Sequence, residues 1–186
     1  MIPIDIEKSK EKGKLVICES PFIKVSEYLL YSMFAFFFPF MAILNFIHNV
    51  NNNNPITNSL LFLIFSFVLS SFFVYSIINI TSLKRVKGLS RSNNSNIVKK
   101  IAENNNWHIS SNNQQATIIY FSWRETLTDW GKQMTIIYDK NDILVNCISF
   151  GKHSTPSPIH WFANRSKVNE LINGFKDEIN ARSHSL

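Results

Sequence analysis

One long segment of this chain carries no charged side chain: neither Asp, Glu, Lys nor Arg occurs between Glu27 and Lys84. The segment consists of two apolar runs, residues 28–47 and 60–80, joined by an Asn-rich polar stretch. About 20 helical residues, at about 1.5 Å each, cover the roughly 30 Å of hydrocarbon in a bilayer. A soluble protein would have to cover both helices on all sides, and the rest of this chain is too short for that. The sequence therefore predicts a two-helix transmembrane hairpin over residues 28–83.

Basic residues lie on both sides of the predicted hairpin, whereas the connection between its two runs has none. Positively charged loops stay in the cytoplasm, so we expect both termini there. The first apolar run is too long for the core of a signal peptide, and no cleaved signal is expected. The residues that follow the hairpin and are expected at the membrane surface are Lys84, Arg85, Lys87 and Arg91.

The net charge of +6 is concentrated next to the hairpin, because the excess of basic residues lies between Lys84 and Lys100. Membrane topology accounts for a basic cluster in that position. The remainder of the C-terminal region is neutral, which argues against binding of long nucleic acid, since such binding neutralises many phosphates. A small anionic ligand in a local basic pocket remains compatible with this distribution.

The region after the hairpin has the pattern of a small α+β domain. A basic linker over 84–95 precedes a helix at 96–103, four strand-like runs at 107–111, 116–123, 133–139 and 142–150, and a final helix at 166–180. This order predicts an antiparallel sheet flanked by two helices within a cytoplasmic domain, 96–186. Residues 1–27 form a charged arm that either adds a strand to this domain or lies on the membrane. The fold class is therefore a membrane-anchored α+β protein.

The loop at 151–166 is the first candidate ligand site. It combines basic, hydroxyl and imidazole side chains with the start of a helix, where free backbone N–H groups favour anions. A solvated connector is the alternative, because no glycine-rich phosphate motif is present. Its candidate residues are Lys152, His153, Ser154, Thr155, His160 and Arg165.

The loop at 123–132 is the second candidate. Trp130, together with Arg124 and Lys132, has the chemistry to stack on and pair with a nucleotide. The same residues would suit an anchor at the bilayer interface. An ordinary exposed hairpin loop is the third interpretation.

Catalytic chemistry finds no support in the residue pattern. The acidic residues near these loops fall in predicted turns, and no base or metal ligand accompanies them at a recognisable spacing. The five histidines are scattered, and Cys18 and Cys147 are expected to be free thiols. We therefore expect no catalytic residue, no metal, no cofactor and no enzyme activity.

The layout of the whole chain resembles small two-span membrane effectors of bacterial CRISPR and cyclic-oligonucleotide antiphage systems. This resemblance concerns the order of a hairpin and a small α+β domain, and no individual residue. It implies a bacterial inner-membrane location, a homo-oligomer, a soluble domain that senses a cyclic nucleotide and a membrane part that damages the bilayer.

Two functions follow as expectations. The first is a membrane-anchored sensor or effector that binds a small anionic ligand, such as a nucleotide second messenger, and acts through an oligomeric hairpin. The alternative is a membrane anchor or immunity-type protein that binds a protein partner through the sheet edge or the aromatic loop.

Overall fold

The computed structural model describes residues 3–18, 20–122, 131–150 and 156–183. In this part of the chain the fold is mixed α+β, with two apolar helices near the N-terminus followed by a small antiparallel sheet. The chain divides into two compact units, residues 19–79 and residues 1–18 with 80–186. We call the first unit the helical hairpin and the second unit the sheet domain.

The helical hairpin consists of α2 (Pro21–Asn51) and α3 (Thr57–Asn79). The segments Leu29–Asn51 and Thr57–Asn79 have mean hydropathies of 1.9 and 2.4, and each is long enough to cross a membrane. In their most apolar windows only 17% and 11% of the residues are buried. A core helix of a soluble protein would be mostly buried, so these helices do not have that character.

Small residues mark the contact between the two helices. Ala35 and Ala42 of α2 are buried, and the Ser70 hydroxyl of α3 donates a 2.7 Å hydrogen bond to the Ala35 carbonyl. Ser66 instead donates to the Phe62 carbonyl of its own helix. Small side chains let the backbones of the two helices approach closely.

The sheet domain contains a five-stranded antiparallel sheet. Its strands are β3 (Lys84–Lys87), β4 (His108–Asn112), β5 (Ala116–Phe121), β6 (Lys132–Asp139) and β7 (Asp142–Ser149). They are arranged in the order β3-β7-β6-β5-β4. Strands β6 and β7 form the predicted hairpin with Lys140 and Asn141 as its two-residue turn.

Two helices cover one face of this sheet, as predicted. They are α4 (Arg91–Asn104) and α5 (Trp161–Ser183), the second preceded by a 3-10 turn at Pro158–His160. The apolar side chains of both helices meet the alternate residues of β5, β6 and β7 that face them. Cys147 is one of these core residues, which agrees with its interpretation as a small core side chain.

The N-terminal arm covers the opposite face. Its strands β1 (Ile4–Asp5) and β2 (Val16–Ile17) pair with each other and flank α1 (Ile6–Lys12). Leu15 and Ile17 of the arm pack with a second apolar cluster that includes Ile148 and Phe150. The arm thus belongs to the sheet domain, and both faces of β6 and β7 are buried.

The short segment that follows α3 is held from two sides within the sheet domain. The Asn146 amide nitrogen of β7 donates to the carbonyls of Ile80 and Ser82, at 3.0 and 2.8 Å. From the arm, the Leu15 N–H donates to the Thr81 carbonyl at 2.7 Å. Residues 80–82 are therefore fixed to both β7 and the arm.

The structure corrects the expected linker at 84–95. Its first residues form β3, which pairs along its whole length with β7, and α4 begins at Arg91 instead of residue 96. Three of the four residues of β3 are basic, so the strand lacks the apolar alternation that sequence analysis relies on. An edge strand gains from such charges because they discourage pairing with other chains.

Asn94 joins β3, α4 and the β6–β7 turn. Its side chain is fully buried, accepts from the Leu89 N–H at 2.7 Å and donates to the carbonyls of Leu89 and Asn141 at 3.1 and 3.0 Å. A Cβ atom on Gly88 would lie 2.6 Å from the Asn94 amide oxygen, so only glycine leaves room for this side chain. The start of α4 is therefore fixed against the sheet by one amide.

We expect Asn94→Ala to lower the free energy of unfolding of the sheet domain by about 2–4 kcal/mol, because it leaves buried backbone groups unpaired. Thermal unfolding of the detergent-solubilised full chain, followed by circular dichroism, measures the effect. Asn93→Ala changes an exposed residue one position earlier and is the matched control. Equal melting temperatures for the two variants would contradict the role assigned to Asn94.

Candidate functional site

The two loops predicted as ligand sites leave the sheet at the same end. Residues 123–130 connect β5 to β6, and residues 151–155 follow β7. Next to these loops, the Phe150 N–H donates a 3.0 Å hydrogen bond to the Gly131 carbonyl. The flanks of the loops are therefore neighbours, while six predicted residues lie outside the described residues: Arg124, Trp130, Lys152, His153, Ser154 and Thr155.

Three predicted site residues are described at this end of the sheet. Lys132 begins β6, is only 6% exposed and lies opposite Ser149 of β7. The Ser149 hydroxyl donates a 2.6 Å hydrogen bond to the Asn164 side-chain oxygen in the first turn of α5. Arg165 follows as a half-buried residue, and His160 Nδ1 lies 3.0 Å from the Ser157 hydroxyl. The structure thus brings Lys132 and the start of α5 to one end of the sheet.

The opposite end of the sheet carries an open polar groove that sequence analysis did not predict. We call it the α4 groove, because it lies between the first half of α4 and the turn from β4 to β5. Its volume is about 650 Å³. The lining residues are Arg91, Ser92, Ser95, Asn96, Lys99, Asn112, Asn113, Gln114 and Tyr138.

A chain of hydrogen bonds forms the floor of the α4 groove. The Thr117 hydroxyl donates to the Asn112 side-chain oxygen at 2.8 Å and lies 2.7 Å from the Tyr138 hydroxyl. Because Thr117 has one hydroxyl proton, Tyr138 donates to Thr117 in this arrangement. Burial raises the pKa of Tyr138, although the hydrogen bonds to Thr117 and Ser95 oppose that shift. The floor is therefore a neutral polar network that packing holds in place.

The rim of the α4 groove is cationic. Arg91 and Lys99 both line the groove, and their spacing of eight residues on α4 places them about 80° apart around the helix axis. None of the described residues that line the groove carries a carboxylate, and neither cation forms an ion pair within the described ranges. Two uncompensated positive charges beside a cleft attract anions.

Four amide side chains add hydrogen-bonding groups to the same groove: Asn96, Asn112, Asn113 and Gln114. The Asn113 side-chain oxygen accepts from the N–H groups of Gln115 and Ala116, both at 2.8 Å, and so fixes the turn. Each amide side chain offers donors as well as an acceptor, which suits the edge of a nucleobase. The groove thus combines groups for an anion with groups for a polar heterocycle.

The cations expected at the membrane surface have different surroundings in the structure. Arg85 donates to Asp142 at 2.8 Å and to Asp139 at 2.7 Å, and these two hydrogen bonds raise its pKa. Lys84 has no such compensation: burial lowers its pKa, and the positive charges of Arg165 and Lys176 lower it further. Arg91 lines the α4 groove. Lys84, Arg85 and Arg91 therefore have different surroundings, and the role of these residues and Lys87 at a membrane surface stays a prediction.

Sequence analysis missed the α4 groove because its lining comes from three separate segments. Residues 112–114 have the composition of an ordinary turn, and Tyr138 belongs to a buried strand. The predicted helix began at residue 96, which separated Arg91 from Lys99. The spacing of these two cations would have been a usable signal had the helix been predicted to start at Arg91.

Neither the comparisons with known proteins nor the metal-ligand geometry assigns a function to this chain. A scan against models of known protein families finds no match to this chain, and a search of curated protein sequences finds no relative. In the part of the chain that the structure describes, no group of three or more His, Cys, Asp or Glu side chains is arranged to hold a metal ion. Function is therefore inferred from the geometry of this chain alone.

Tyr138→Phe tests the floor of the α4 groove. Below about pH 10 the wild type should be more stable by about 1 kcal/mol, since the variant lacks the hydrogen bond to Thr117. Above that pH the unfolded chain loses the Tyr138 proton at its ordinary pKa of 10.0, while the folded chain retains it. Stability from Tyr138 is thus lost as the pH rises, and the difference between the two proteins should narrow. Denaturant unfolding between pH 7 and 11 measures this, and a constant difference would contradict it.

Proposed function

We propose that this chain is a membrane-anchored binding protein whose sheet domain takes a small anionic ligand, of the nucleotide class, into the α4 groove. In this proposal the hairpin crosses a bacterial inner membrane, both termini lie in the cytoplasm, and the hairpin acts in a homo-oligomer. The observation that carries the proposal is the pair of uncompensated cations, Arg91 and Lys99, above a neutral polar floor.

Size and preorganisation support a small ligand. Pockets for small molecules measure about 300–1,000 Å³, and the α4 groove falls within this range at about 650 Å³. Its floor is held by hydrogen bonds within the domain, so binding would order few groups. A long nucleic acid would need a larger basic surface than two cations.

The helical hairpin supports the anchor. Its two helices are apolar and long enough to span, and Lys and Arg flank the hairpin in sequence while the connection between the helices carries neither. Within the described residues, Ile159 and Phe162 are the only large exposed apolar side chains outside residues 22–78. The apolar surface that needs lipid is therefore concentrated in the hairpin.

Two amide side chains, at the two ends of a stretch of β7, link the start of α4 to the segment next to α3. Asn94 holds the start of α4 to the Asn141 carbonyl, at the turn that leads into β7. Further along β7, Asn146 holds the carbonyls of Ile80 and Ser82. A ligand that draws α4 towards the β4–β5 turn would act on Asn94 first, which gives the proposal a physical route to the hairpin.

Binding by the full chain, reconstituted in nanodiscs, tests the proposal with a panel of cyclic and linear nucleotides. A bound nucleotide at 100 times its Kd should add about 2.7 kcal/mol of stability. Arg91→Gln and Lys99→Gln should each weaken binding about tenfold or more, because each removes a charge-assisted hydrogen bond. Isothermal titration calorimetry gives the Kd values.

Lys87→Gln is the matched control, since it removes one exposed positive charge outside the groove. Unchanged affinity in Arg91→Gln and Lys99→Gln would exclude the α4 groove as the site. Absence of binding by the folded wild type would reject the nucleotide class and favour a protein partner. Release of the protein from membranes by alkaline carbonate would reject the anchor.

A further inference from the structure

A second cluster of positive charge lies on the sheet domain, away from the α4 groove. Lys84 of β3 donates a 2.9 Å hydrogen bond to the Asn169 side-chain oxygen of α5, and Arg165 and Lys176 are its charged neighbours. Within the described ranges neither Arg165 nor Lys176 pairs with a carboxylate. The hydrogen bond to Asn169 thus holds Lys84 against the helix that carries Arg165 and Lys176, although like charges repel one another.

Exposed apolar side chains accompany this charge on α5. At 3.6 residues per turn, Phe162, Arg165, Asn169 and Lys176 project from α5 within about 60° of one another. Phe162 is 65% exposed, and Ile159 in the preceding 3-10 turn is 74% exposed. We call this surface, together with Lys84, the α5 stripe. Large apolar groups next to cations are typical of surfaces that meet the headgroup region of a membrane.

The position of Lys84 in the chain indicates which ligand the α5 stripe would meet. Lys84 follows Asn79, the last residue of α3, by five residues, and five residues of chain span at most about 18 Å. Residues 80–82 are also fixed by Asn146 and the arm. If α3 is anchored in a membrane as proposed above, the chain keeps Lys84 within about 18 Å of the end of α3, so lipid headgroups are anions within its reach.

We propose that the α5 stripe binds the phosphate group of an anionic phospholipid headgroup, with Lys84, Arg165 and Lys176 as the cations and Phe162 and Ile159 in contact with the acyl boundary. This proposal rests on the membrane anchoring proposed above. It differs from the general attraction of basic residues to a membrane because it selects three cations and leaves out Arg85, which two carboxylates already neutralise.

The test is a lipid titration of the detergent-solubilised full chain, followed by native mass spectrometry. Phosphatidylglycerol should bind more tightly than phosphatidylcholine. Lys84→Gln, Arg165→Gln and Lys176→Gln should each weaken phosphatidylglycerol binding about fivefold, which corresponds to about 1 kcal/mol per basic residue near an anionic surface. Phosphatidylcholine binding should not change in these variants.

Lys87→Gln is the control with the same change of charge on the same strand. Lys87 is three residues from Lys84, and β3 directs the two side chains to opposite faces of the sheet. An equal loss in Lys84→Gln and Lys87→Gln would show a general charge effect and overturn the proposal. Equally tight binding of soluble glycerol phosphate would also overturn it, because the site would then serve a free anion.

Two further measurements separate this proposal from the proposed function. Phe162→Ala should weaken binding of both lipids. Unchanged lipid binding would contradict the proposed contact between Phe162 and the acyl boundary. Resistance to carbonate extraction without any preference for phosphatidylglycerol would overturn the α5 stripe and leave the anchor intact. Release by carbonate would overturn both.

Discussion

Burial of both faces of β6 and β7 is the constraint on which the sheet domain depends. Seven of the eight residues in each strand are buried, so neither face can be left to water. The helices α4 and α5 cover one face, and the arm that precedes α2 covers the other. Because the arm and the helices come from opposite sides of the hairpin in sequence, the sheet domain cannot be assembled from residues 96–186 alone.

This arrangement also separates the positive charges of the chain into sets with different surroundings. Arg85 is compensated by two carboxylates. Arg91 and Lys99 remain uncompensated beside a polar groove, and Lys84 lies among further cations beside exposed apolar groups. The net charge of +6 therefore describes no single surface. The position of the excess positive charge is visible in the sequence, whereas these differences in surroundings depend on the fold.

The features that sequence analysis predicted are those encoded within one continuous segment. The two apolar helices follow from their length and composition, and the β6–β7 hairpin follows from two apolar strands around Lys140 and Asn141. Helix α2 extends past the predicted span at residue 47 to Asn51, and beyond its end the Asn52 side-chain amide donates to the His48 carbonyl. The last helix begins at Trp161 instead of residue 166. The predicted start was too late because residues 161–165 do not fit the apolar stripe from which the helix was predicted.

The features that were missed require contacts between distant residues. Strand β3 is defined by its pairing with β7, and its own basic residues conceal it. The α4 groove needs a turn, a strand and a helix in one place, and none of the three has an unusual composition. For the loops at 123–130 and 151–155, the structure locates the flanks at one sheet end, and the ligand role remains a prediction.

The arm has a consequence for the synthesis of the protein. Leu15 and Ile17 leave the ribosome well before their partners Ile148 and Phe150. At about 5–20 residues per second, the delay is roughly 7–27 s. During that interval the arm has no sheet to cover, and both apolar helices are made before it can fold. The arm, although made before the sheet, is thus among the last segments to reach its native contacts, and the contacts that it makes have a large sequence separation.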